Sequence, residues 1–171
     1  MKLVRPPLVA ATLLVASMTA LSGCSAASLP NTSGEPVRDA ESGEITESNE
    51  AVDVFSIRVG DCLNTSELAD TTELESVPVV PCAEPHEDEV YHAFDTAESE
   101  FPGLDALAAE ADETCIAEFA DFVGISWEAS GLEYYPMYPS EGSWAGGDRE
   151  IICVLYDPAG PVTGTLADAA R

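Results

Sequence analysis

The stretch VPCAEPHEDEVYHAF, residues 80–94, holds both histidines of the chain, one cysteine and four carboxylates. Those residue types could hold a metal through His86 and His92 with Glu84, Glu87, Asp88 or Glu89. They could also run general acid–base chemistry through a His86–Glu89 pair. The spacing speaks against both. The histidines do not fall at the i, i+4 placing of H-E-x-x-H, and no D-x-D-x-D-G calcium loop is present. No G-x-S-x-G nucleophile turn occurs either. The expected reading is that Cys82 and Pro85 order His86, and that its hydrogen bonds fix the loop. No catalytic residue, metal or cofactor is expected.

The remaining chemistry lies in sulfur. Cys62, Cys82, Cys115 and Cys153 are even in number, and none belongs to a CxxC pair. A zinc site of four thiolates and a thioredoxin-like redox pair both want that spacing. Two structural disulfides are expected instead. Of the three pairings, Cys62–Cys82 and Cys115–Cys153 are favoured. They close loops of about 20 and 38 residues, worth roughly 3 and 4 kcal/mol by chain entropy.

The fifth cysteine stands in a different context. Lys2 and Arg5 precede an uncharged run from Leu8 to Leu21, followed by Leu21-Ser22-Gly23-Cys24. That is the layout of a secretory signal peptide, and the run is too short to span ~30 Å of hydrocarbon as a helix. Its ending resembles the lipobox of bacterial lipoproteins. The resemblance implies cleavage after residue 23 and acylation, palmitate included, of Cys24. Two or three acyl chains at about 0.8 kcal/mol per buried CH₂ make a stable anchor. The expectation is a cell-membrane lipoprotein on the extracytoplasmic face that does not span the bilayer.

Loss of Lys2 and Arg5 would leave Arg38, Arg58, Arg149 and Arg171 against 32 acidic residues, with no lysine. Nucleic acid and anionic lipid are repelled by such a chain, whereas cationic partners and divalent ions are attracted. Residues 25–50 are rich in Ser, Gly, Glu and Asn and lack aromatics. They are expected to be a flexible acidic linker. The organisation is then 1–23 signal peptide, 24–50 lipidated cysteine and linker, and 51–171 one domain.

The elements that must position these groups read as follows. Residues 52–59 alternate as a strand ending at Gly60-Asp61. VPVVPC is a short strand, assigned to a sheet edge by its prolines. EVYHAFD alternates, with Val90, His92 and Phe94 opposed to Tyr91 and Ala93. Ile151 to Tyr156 is the most apolar run and reads as a central strand. Leu104, Leu107, Ala108, Ala111, Cys115, Phe119 and Phe122 form a helical stripe that ends before Gly124. A Cys115–Cys153 bridge would staple that helix to the central strand from within the core. Residues 125–150 read as an irregular aromatic segment that packs over the core or serves recognition. Arg149 is expected to pair with Asp148 or with an acid of the 84–89 loop. The fold class is α+β: a small, mainly antiparallel sheet with one principal helix and two disulfides.

VGDCL, VPCAEPHEDEV, a cysteine-bearing helix, PSEGSWAGGDREIICVLYD and TGTL resemble, in that order, the septum-formation-related domain of actinobacterial membrane proteins and lipoproteins. The resemblance runs from Val59 to about Leu166. It implies that the four cysteines are the family's own. His86, Glu89, Trp144, Asp148 and Arg149 take the places of its marked polar and aromatic positions, which makes them candidate binding residues. The family name implies cell division, with no enzymatic activity attached. The expected function is a membrane-anchored extracytoplasmic lipoprotein with a non-catalytic binding or scaffold domain and an envelope or division protein as partner. The alternative is an envelope hydrolase or metal-dependent enzyme using His86 and nearby carboxylates.

Overall fold

A computed structural model describes residues 34–68 and 73–171. Six strands follow in chain order: β1 (Asn49–Asp53), β2 (Cys62–Leu63), β3 (Ser76–Val80), β4 (Asp88–Asp95), β5 (Glu133–Met137) and β6 (Glu150–Tyr156). Helix α1 (Leu104–Val123) lies between β4 and β5, and the short α2 (Glu141–Ala145) between β5 and β6. The strands form one sheet, ordered β1-β3-β2-β4-β6-β5, with every pairing antiparallel. The fold is α+β with one principal helix. No helix among the described residues is long and apolar enough to cross a membrane. The leader, Cys24 and residues up to 33 lie outside the described residues.

Strand β6 is interior, between β4 and β5, and its side chains are apolar on both faces. Ile152 and Val154 join a core with Val52, Leu63, Val77, Val79 and Val90. Cys153 and Leu155 face the other way, toward Tyr91, Phe119 and Val123. Helix α1 covers this second face with Leu107, Ala111, Cys115, Phe119 and Val123. It stops at Gly124, whose φ of 91° suits glycine and whose N–H donates to the Ala120 carbonyl. Leu104 was expected on the stripe but is 53 % exposed in the first turn. Both disulfides form with the favoured pairing, at Cα–Cα distances of 5.3 Å for Cys62–Cys82 and 5.6 Å for Cys115–Cys153.

The flexible linker expected over 25–50 is, for residues 34–50, part of the fold. Arg38 and Ile45 form a β-bridge, Ile45 is buried in the first core, and Asn49 opens β1. An ion pair between Arg38 and buried Asp61 ties the arm to the rest of the fold, beside the apolar burial of Ile45.

The strand expected over 52–59 is broken. The Asp53 carboxylate accepts from the Phe55 N–H and caps a 3-10 turn at Val54–Ser56. The chain regains the sheet only at Cys62.

The proline-bounded strand is interior, with β1 on one side and β2 on the other. Pro78 is tolerated because its nitrogen, like its carbonyl, faces β2, and β2 ends at Leu63, before a donor from residue 78 would be needed. On the β2 side its carbonyl accepts from Asn64 N–H.

Finally, residues 133–137 of the supposedly irregular segment form the outer strand β5, where Pro136 is acceptable at an edge. The alternation read in β4 also slips: a register shift between Val90 and His92 puts Val90 and Ala93 on one face and Tyr91 and Phe94 on the other.

Candidate functional site

The five candidate binding residues do not converge. Glu89 lies opposite Leu155 in the β4–β6 ladder, and Asp95 lies opposite Glu150. His86 and Glu89 therefore stand at one end of that ladder, while Trp144, Asp148 and Arg149 stand at the other. At ~3.3 Å per residue the ladder separates the two groups by roughly 20 Å.

At the first end the TGTL segment wraps onto the start of β4. His86 pairs through its backbone with Val162, with N–H···O distances of 2.9 and 2.8 Å. Its ring is fully buried, and Nδ1 lies 2.9 Å from the Glu84 carbonyl. That contact makes Nδ1 the donor and leaves Nε2 buried with no partner among the described residues. The Glu89 carboxylate accepts from Thr165 Oγ1 at 2.5 Å and from the Leu166 N–H at 2.6 Å. Burial pushes its pKa up, against the opposing pull of those two donors and of nearby His86. The group works as an internal clip that binds the C-terminal segment to β4. The sulfurs of Cys62 and Cys82 and a Glu89 oxygen lie within 4.8 Å of one another. Joined as a disulfide, those sulfurs are not thiolates and offer no zinc ligand.

At the second end α2 opens with a capping box between Ser140 and Ser143. Trp144 is 7 % exposed and packs with Leu107, Ala111 and Ile151, its ring edge-on to Phe101. The Arg149 guanidinium carbon sits 3.6 Å above the Trp144 ring, and Nη1 donates to the Trp144 and Asp148 carbonyls at 3.1 and 2.5 Å. The expected carboxylate partner of Arg149 is thus corrected. The Asp148 carboxylate is engaged by Ser143 Oγ and Glu150 N–H, and the 84–89 loop is at the far end of the sheet. The aromatic ring supplies the negative face instead.

Two further polar clusters escaped the sequence reading. Buried Asp88 accepts from Thr65 N–H at 3.0 Å and Thr65 Oγ1 at 2.7 Å, and that hydroxyl lies 2.7 Å from Tyr135 Oη. Burial raises the pKa of Asp88, and burial beside Asp88 raises that of Tyr135. Asp61 takes both Nη atoms of Arg38 at 2.6 Å and the Arg58 N–H at 2.8 Å. Asp88 was read only as one acid of the 84–89 loop, just ahead of the expected strand, and it opens β4 instead. Asp61 looked like an ordinary turn residue after glycine.

A family model described as Septum formation matches residues 59–170, well over half of the chain. The chain belongs to the septum formation family, and that membership points to a role in cell division and the envelope. No curated protein and no solved structure matches the chain.

Proposed function

We propose that the protein is a membrane-anchored extracytoplasmic lipoprotein whose folded part is a non-catalytic binding or scaffold module of the septal envelope. Family membership supplies the link to septation. The observation that carries the non-catalytic reading is the state of His86 and Glu89. Both are buried, and both Glu89 oxygens hold Thr165 and Leu166. A general acid–base pair needs a face open to substrate; this pair holds the C-terminal segment. The anchor rests on the sequence Leu21-Ser22-Gly23-Cys24 after an apolar leader.

The test uses the full chain in its native envelope. A clickable palmitate analogue should label the protein, and Cys24→Ser should abolish label and membrane retention together. Cross-linking should capture an envelope or division protein. Retention of Cys24→Ser in the membrane without label would overturn the anchor. Stoichiometric zinc or calcium in the purified chain would overturn the scaffold reading in favour of a metal-dependent enzyme.

A further inference from the structure

A groove of about 600 Å³ runs between the 3-10 turn after β1, the segment entering β3, and α2. Its apolar part is Phe55, which is 61 % exposed, together with Leu74, which packs back on the first core. Its charged lining is Asp53, Glu73, Glu75 and Asp148, with no lysine, arginine or histidine. Two of these acids serve the backbone: Asp53 caps the Phe55 N–H and Asp148 accepts from the Glu150 N–H. Glu73 and Glu75 are exposed, and no side chain among the described residues engages either one. The α2 side is built from Ser140, Gly142, Ser143 and Gly146, so short side chains keep the groove open.

Resting on the binding-module reading above, we propose that this groove docks a basic, apolar-flanked peptide segment of the envelope partner. Charge complementarity selects the occupant. A lysine or arginine would meet Glu73 and Glu75, while an adjacent apolar side chain would cover Phe55 and Leu74. A second copy of this chain is a poor occupant, since 32 acidic residues face six basic ones. An anionic lipid surface is repelled for the same reason. The exposed phenyl ring also offers its face to a cation.

The full chain in detergent micelles is titrated against a fluorescein-labelled peptide that alternates lysine with leucine. Control peptides carry glutamate for lysine or serine for leucine. Saturable binding of the lysine–leucine peptide alone is expected. Phe55→Ser should weaken it about fivefold and Glu73→Lys/Glu75→Lys about tenfold or more. Glu113→Lys, on the exposed face of α1, should change it less than twofold. Equal loss in Glu113→Lys would reduce the effect to diffuse polyanion attraction and overturn the proposal. So would full affinity in Phe55→Ser, equal binding of the lysine–serine peptide, or a sedimentation shift showing that Phe55→Ser breaks a homodimer. The envelope cross-linking is repeated with Phe55→Ser/Glu73→Lys. An unchanged native complex would overturn the groove and leave the scaffold reading standing. Peptide binding without any captured envelope protein would do the reverse.

Discussion

Arg38 and Asp61 face each other fork to fork, with each Nη 2.6 Å from one carboxylate oxygen. The pair spans a boundary, because Arg38 lies upstream of the family match and Asp61 lies inside it. Asp61 is 3 % exposed, so its charge has little water to fall back on. Removing one partner of a buried pair leaves the other uncompensated. Arg38→Ala is expected to cost about 3 kcal/mol in urea denaturation. It should also open residues 34–48 to limited proteolysis. Unchanged stability and resistance would reduce the arm to a passive covering.

Acid should stabilise the fold. Burial raises the pKa of Asp88 and of Glu89 in the folded state. Between the unfolded and folded pKa values the folded chain binds more protons, so stability falls as pH rises through that window. Above it, both carboxylates are charged and their desolvation is felt in full. The urea midpoint is expected to be higher at pH 5 than at pH 8. General relief of acidic self-repulsion has the same sign, and the variants separate the two. Asp88→Asn and Glu89→Gln should flatten the slope, while Glu113→Gln should not. In Glu89→Gln the Thr165 hydroxyl can turn to accept from the new amide, so the clip is kept.

The two disulfides should differ in weight. Cys115–Cys153 closes a separation of 38 residues and Cys62–Cys82 one of 20. Loop entropy then gives about 4 and about 3 kcal/mol. The longer bridge also joins α1 to β6 from positions with no exposure. Double alanine variants, compared by equilibrium unfolding, should rank in that order. The opposite ranking would show that local geometry outweighs chain entropy here.

Trp144 and Arg149 should be unequal partners. Trp144→Ala empties a packed site against Leu107, Ala111 and Ile151, at a cost of about 3–4 kcal/mol. Arg149→Ala loses one ring contact and two carbonyl hydrogen bonds in a half-buried place, at about 1 kcal/mol. Thermal unfolding followed by circular dichroism checks the ratio. A larger loss for Arg149 would mean that the guanidinium, not the indole, organises the turn.

Helix α1, strand β6 and both bridges were legible because each is set by local pattern. Apolar spacing chose the helix face, and Cys115 and Cys153 lay on faces that had to meet. The arm was not legible, since residues 34–50 carry few apolar side chains and enter the fold through one ion pair and Ile45. The placing of β3 was hidden for a related reason. A proline argues for an edge until the neighbouring strand, here β2 at Leu63, ends where its donor would be needed. The candidate site suffered most from distance. His86 and Glu89 sit close in sequence and join one clip, whereas Trp144, Asp148 and Arg149 are separated from them by the length of a strand pair. Only tertiary pairing reveals that separation.

Strand β6, which joins the outer strand β5 to β4, comes after every other strand in the chain. A polypeptide that emerges N-terminus first would present β1 to β5 and α1 before the strand that ties β5 to β4 and packs under α1. The unshielded valines and phenylalanines of those elements would wait, exposed, until residues 150–156 appear. Late arrival of the keystone makes folding a terminal event of chain emergence, and any helper that guards the nascent chain has its longest task here.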